Sequence, residues 1–190
     1  MEINKSIVKK VKKNNRKVTL DLYHYSFNLL MSIAVRYHQN EEDQMEIVNT
    51  SFMKIVVSID QFKIGSSYFS WAKKITQNVV IDEFRKTKNY KVLFKLTEND
   101  QYLESETNNS FQESSFDINI DAFAAEEIEL ILSQLPPASK ITFNLFAIEG
   151  YSYKEIAEEL DIGYETVKWH IKESRKKLQS ILKYNTLEIE

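Results

Sequence analysis

Between Tyr164 and Lys176 four cations and two aromatic rings recur at helical spacing, so that Tyr164, Glu165, Lys168, Trp169, Lys172, Arg175 and Lys176 would share the outer face of one helix. Ammonium and guanidinium groups so placed neutralise phosphates. A helix also fits the major groove, so this face can meet the DNA backbone and base edges together. Glu165 and Glu173 interrupt the charge and would repel phosphate unless they accept a hydrogen bond from a cytosine amino group. A charged stripe taken alone is usually a solvated surface, so the elements that position it decide its meaning.

A short helix should precede the basic one. Ser152 can cap its free amides while Glu155, three residues on, reaches back to complete a capping box. Ile156, Ala157 and Leu160 then lie on one face. Asp161-Ile162-Gly163 is too short for a structured loop, and Gly163 supplies either a turn residue or a tolerated N-cap. Ile162 would plug the corner. In the second helix Val167, Ile171, Ser174, Leu178 and Ile181 form an inward stripe. Together these are the parts of a helix-turn-helix, whose second helix enters DNA. His170, on the same helix, reads as a surface residue or a phosphate contact.

Composition favours an all-α chain. Of 190 residues, 43% are hydrophobic, with three glycines and two prolines, too few for a protein rich in hairpins. The absence of cysteine excludes disulfides, thiolate zinc sites and cysteine nucleophiles. The lysine-rich start lacks the apolar core of a signal peptide, and no run approaches the roughly 18 apolar residues of a membrane span. A cytoplasmic location is expected. The net charge of −3 hides a marked asymmetry: 17 basic against 9 acidic residues up to Lys95, then 10 acidic and no basic residues from Leu96 to Ser139.

Apolar periodicity predicts a first helix from about Val18, with Tyr23, Phe27, Leu30, Ala34 and Tyr37 inward. A second follows Glu41-Glu42-Asp43 with Met45, Val48, Phe52, Ile55 and Ile59 inward. A third runs from about Tyr68 to Lys86, burying Ala72, Ile75, Val79 and Phe84. The polar stretch from Asp60 to Ser67 reads as a loop. Thr97 to Asp121 is rich in Glu, Asp, Asn and Ser, the composition of a disordered linker. Order should resume near Ala122, break at Pro136-Pro137 and continue through Ile141, Leu145, Phe146 and Ile148 to Gly150. The expected organisation is two small helical domains, 18–95 and 122–184, joined by an acidic linker, 96–121.

With Glu42 to Lys54 as an acidic amphipathic helix, Trp71, Asn78, Ile81-Asp82 and Arg85 on a later one, and Leu135-Pro136-Pro137 before the helix-turn-helix, the chain resembles bacterial sigma factors of RNA polymerase, specifically the short extracytoplasmic-function group. The resemblance spans about Tyr23 to Lys91 and Glu127 to Leu182. It implies that core polymerase is bound through Glu46, Asn49, Thr50 and Met53. It implies that the minus-10 single strand, with a flipped base, is held by Phe62, Lys63, Ser66, Ser67, Trp71, Lys74, Asn78 and Arg85. Carried over by position, Lys168, Trp169, Lys172 and Glu173 would touch minus-35 DNA, with Arg175 and Lys176 beside them. An anti-sigma protein is a further partner that the resemblance implies.

The competing expectation is a transcriptional regulator that binds duplex DNA and uses its first domain as a sensor or dimeriser. An enzyme is the distant third. There is no Gly-rich phosphate loop and no His-Glu-x-x-His pair, and His24, His38 and His170 are scattered. The pairs Glu158-Glu159 and Glu126-Glu127 read as helix surface. No catalytic residue, cofactor, metal, small-molecule substrate or membrane partner is expected.

Overall fold

A computed structural model describes residues 1–86, 94, 130 and 132–187, with side chains as far as 181. The expected linker, together with Ile128 and Ile131, lies outside the described residues. Seven α-helices and a single 3-10 turn make up the described secondary structure. The chain divides into two compact units, Met1–Phe84 and Arg85–Glu190. No described helix is long and apolar enough to cross a membrane.

The first unit begins with a helix outside the expected set, although Ile3, Ile7 and Val11 repeat at four-residue spacing. This is α1, Lys5–Lys12, capped by the Asn4 side chain and closed by a turn in which Asn14 adopts φ 57°. Asparagine tolerates that left-handed conformation, and the adjoining Asn15 accepts from the Val18 N–H to start α2, Arg16–Ala34. Ile3 and Val11 sink into the core and secure α1.

In α2 the fully buried side is Leu22, Ser26, Leu30, Ile33 and Ala34, while Tyr23, Phe27 and Tyr37 are only half-buried. The expected stripe is thus rotated by part of a turn. Helix α3, Glu41–Val57, starts where Asn40 accepts from the Asp43 N–H, and its three leading acids face the positive end of its dipole. Ile47, Val48, Ser51, Phe52 and Ile55 pack inward; Met45 is half-buried. The 3-10 turn Ile59–Gln61 then leads through a short loop into α4, Tyr68–Lys86. Each fully buried Leu or Ile side chain contributes roughly 1.5–3 kcal/mol, and Leu22, Leu30, Ile33, Ile47, Ile55 and Ile59 together anchor the bundle.

The second unit packs three helices around Leu132, Leu135, Phe143 and Leu178. Helix α5, Pro137–Ala147, opens with Pro137 at its first position, where the missing N–H costs nothing. It is buried almost all round, from Ala138 to Leu145. Gly150 takes φ 79°, and the Tyr151 N–H returns to the Leu145 carbonyl at 2.9 Å, ending the helix. Helices α6, Tyr153–Leu160, and α7, Tyr164–Leu187, both pack on α5 and on each other.

Candidate nucleic-acid interfaces

The capping box is formed. The Glu155 N–H donates to the Ser152 hydroxyl at 3.3 Å, and the Glu155 carboxylate accepts from the Ser152 backbone at 2.8 Å. Ile156 and Leu160 are fully buried and Ala157 half-buried. The turn between α6 and α7 resolves the two options for Gly163. The left-handed residue is Asp161, at φ 48°, with Ile162 N–H bonded to the Ala157 carbonyl at 3.1 Å. Gly163 instead precedes the first residue of α7 and offers its carbonyl to the Val167 N–H at 3.1 Å. An added Cβ there would meet Thr166 Oγ1 at 3.3 Å, which suits a residue without a side chain.

On α7 the inward stripe matches its spacing: Val167, Ile171, Ser174 and Leu178 are buried and Ile181 half-buried. His170 is not on the surface. It is 1% exposed, its Nδ1 pairs with the Ser139 hydroxyl at 2.9 Å, and Phe94 meets its ring edge-on. Helical spacing places it next to Val167 and Ile171 on the buried arc, and a polar residue type obscured that. Burial pushes its pKa from the ordinary 6.5 down to about 4.

Between those two values the unfolded chain binds a proton that the folded chain refuses, so stability is present above pH 6.5 and lost as pH falls towards 4. From pH 7 to pH 5 we expect the second unit to lose about 2 kcal/mol through this group. Urea unfolding of the wild type and of His170→Gln at both pH values measures it. An identical pH dependence in the two proteins would remove His170 as the cause.

The outer stripe separates into two groups. Tyr164, Glu165, Lys168, Lys172 and Lys176 are exposed, the three lysines one turn apart. Trp169, Glu173 and Arg175 are half-buried. The indole N–H of Trp169 is buried without a hydrogen-bond partner among the described residues, and the ring helps line a cavity of about 140 Å³ with Pro136, Pro137 and Glu173. The Arg175 guanidinium lies over the Phe146 ring at 5.3 Å, a cation-π contact that turns it towards α5. The expectation that Trp169 and Arg175 face outward is corrected on these grounds: large flat groups cover apolar neighbours, and the shorter reach to α5 wins over solvent. Lys168 and Lys176 lie near Glu165 and Glu173, at 4.0 and 3.9 Å, weak surface pairs.

Along the 62–67 loop and α4, Lys63, Ser66, Ser67, Lys74, Asn78 and Arg85 are exposed, Trp71 is half-buried and Phe62 is buried at 5%. Ser67, Trp71, Lys74, Asn78 and Arg85 follow one face of α4 by their spacing. The two serines are structurally engaged. Ser67 Oγ accepts from the Ser70 N–H, capping α4, and the Ser66 hydroxyl donates to the Lys63 carbonyl at 2.6 Å across a turn in which Gly65 takes φ 90°. Phe62 packs against Tyr68 and Trp71 and supports the loop from beneath, so it offers no open face to a base. Tyr68 is buried, its hydroxyl 2.6 Å from Ser26, whose own proton goes to the Leu22 carbonyl; burial pushes its pKa up to about 12. Ile75 and Phe84 are half-buried, while Thr76 and Gln77, read as neither core nor site, are buried.

Glu46, Asn49, Thr50 and Met53 are all exposed along the outer face of α3, with Met53 at 61% and Val57, one turn on, at 70%. Asn49 also receives the Tyr23 hydroxyl at 3.3 Å. Val57, four residues beyond Met53, shares this face by helical spacing.

Comparison with known proteins matches residues 22–90 to the family model for sigma-70 region 2 and residues 125–178 to that for sigma-70 region 4. The chain is 26% identical over 162 residues to RNA polymerase sigma factor SigZ of Bacillus subtilis, covering 85% of this chain and 84% of that one. It is 25% identical over 190 residues to ECF RNA polymerase sigma factor SigW of the same organism, with 94% and 96% covered. Against ECF sigma factor SigE of Mycolicibacterium smegmatis it is 26% identical, and the match spans 79% of this chain and 56% of that longer one. Among solved structures, sigma factor RpoE bound to anti-sigma factor NepR from Bartonella quintana aligns at TM-score 0.47 and 18% identity, over 86% of this chain and 97% of that one.

Proposed function

The chain belongs to the sigma-70 family, in its extracytoplasmic-function group, and directs promoter-specific transcription initiation, and on that premise we propose how two domains, residues 18–95 and 122–184, divide the promoter. Residues 18–95 bind core RNA polymerase through Glu46, Asn49, Thr50 and Met53, extended by Val57. The same domain holds the minus-10 single strand on Lys63, Lys74, Asn78 and Arg85, with Phe62 and Trp71 as the ring platform below. Residues 122–184 read the minus-35 duplex with Lys168, Lys172 and Lys176, and residues 96–121 tether the two.

The observation that carries this reading is the exposed Lys74–Asn78 row on α4, in a chain that also carries a complete helix-turn-helix. Strand opening then follows from binding unpaired DNA better than duplex, which shifts the equilibrium by that difference in affinity. No bond is made or broken by this chain, which works in the cytoplasm beside the polymerase. An anti-sigma partner of the kind bound to similar sigma factors would act by covering the open α3 face and competing with polymerase.

The test is open-promoter formation by the purified chain with core RNA polymerase on genomic fragments, followed by mapping of transcript starts. Discrete starts that depend on this chain, with reactive unpaired thymines upstream, are the expected result. DNA binding without initiation would return the regulator with a sensor or dimerisation domain.

A further inference from the structure

From Ile3 to Leu20 the chain carries seven cations, Lys5, Lys9, Lys10, Lys12, Lys13, Arg16 and Lys17, and no carboxylate. All seven are exposed. They do not sit on a loose tail. Ile3 and Val11 are buried, Asn4 caps α1, and the Asn14-Asn15 turn fixes α1 against the start of α2. Lys12 Nζ reaches Asp60 Oδ2 at 2.7 Å, which pins the last turn of α1 beside the 3-10 turn. Three residues beyond Asp60 comes exposed Lys63, in the loop that leads into α4.

Helix electrostatics account for only part of this charge. Lys9, Lys10 and Lys12 occupy the last turn of α1, where cations are favoured. Lys5 opens α1, and Arg16 and Lys17 open α2, at the positive ends of two dipoles with no acid in either first turn. There a cation works against the helix it begins. The helices they begin therefore do not account for those three charges, whereas an anionic partner would.

We propose that α1 and the first turn of α2 form a second phosphate-binding surface, which grips the backbone of the promoter DNA that the 62–67 loop and α4 engage. This rests on the reading of α4 given above. Six of the seven cations are lysines, compact point charges that suit phosphate without reading sequence. A protein partner is less suited, because lysine is depleted in protein interfaces. A membrane surface is also less suited: the apolar side of α1 is already turned into the core, so no face remains to enter the acyl region.

The test measures binding of the full-length chain to a labelled mixed-sequence single strand as salt is varied, for the wild type, for the K5Q/K13Q/R16Q/K17Q protein and for the matching all-arginine protein. The four glutamines should weaken binding about tenfold at low salt and lower the salt slope by about 3, at roughly 0.7 per phosphate lost on single strands. The arginine protein should bind as the wild type does, and coincident thermal melts confirm that α1 stays folded. A parallel K74A/N78A protein reports on α4. If that protein loses affinity while the glutamine protein does not, the α1 proposal is overturned and the function reading stands. If neither loses affinity, both fail. Loss of core polymerase affinity with unchanged DNA binding would reassign the patch to the polymerase and overturn the proposal.

Discussion

Exchange of Lys168 and Lys172 together for glutamate should lower transcription from a promoter with a minus-35 element by about 100-fold, while affinity for core polymerase stays unchanged. Both side chains stand exposed one turn apart on α7. Each reversal removes an attraction to phosphate and adds a repulsion. About 1.4 kcal/mol for each position corresponds to a factor of ten. The defect should shrink as salt rises, because mobile ions screen both the attraction removed and the repulsion added. Exposed positions of this kind change stability by about 0.5 kcal/mol or less, so the fold is preserved and the loss is read as binding.

Trp169 supplies the contrast. Its ring lines the cavity beside Pro136 and Pro137, so Trp169→Ala should shift the unfolding midpoint of the second unit more than it shifts DNA affinity. In vitro transcription with the lysine pair exchanged, set beside filter binding of the same proteins, decides the point. Undiminished minus-35-dependent output from a folded double variant would place the DNA surface elsewhere.

The helix-turn-helix was legible because its signals are local. A serine three residues before a glutamate and apolar residues at three-and-four spacing each have one simple structural meaning, and Ser152 and Val167 took the places those meanings assign, whereas Gly163 left two options that the left-handed Asp161 decided. The bounds of α4 were legible for the same reason. What failed to show depended on partners distant in sequence. Helix α1 was overlooked although Ile3, Ile7 and Val11 repeat every four residues, because the lysines around them dominate the segment; it is held by packing on the core that Leu22 and Ile59 build. His170 and Gln77 are buried although their residue types suggest surface, since a single hydrogen bond such as Ser139 to His170 makes burial tolerable. Among the site residues of α7, Trp169 and Arg175 are half-buried while the lysines are exposed as their spacing indicates. Spacing gives the direction of a Cα–Cβ bond, and it does not say that a tryptophan or arginine will bend back onto Pro136 or Phe146.

Asn78→Ala combined with Lys74→Ala should cut initiation on duplex promoter by about 30-fold and on a template already unpaired across the minus-10 element by about threefold or less. Both residues are exposed on α4, about one and two turns beyond Trp71, whose ring packs against Phe62. If they hold unpaired nucleotides, their interaction free energy is available only after the strands separate, and about 2 kcal/mol of it sets the open fraction on duplex DNA. On a template opened in advance the strands need no separation, the equilibrium already lies on the open side, and the same loss moves it little. A residue that merely touched duplex phosphate would lose activity equally on both templates. Neither substitution touches the buried side of α4, which includes Ala72, Thr76, Val79 and Val80, so unfolding cannot mimic the difference. The ratio between the two templates therefore isolates single-strand capture from general affinity, and a ratio near one would refute the role assigned to this face of α4.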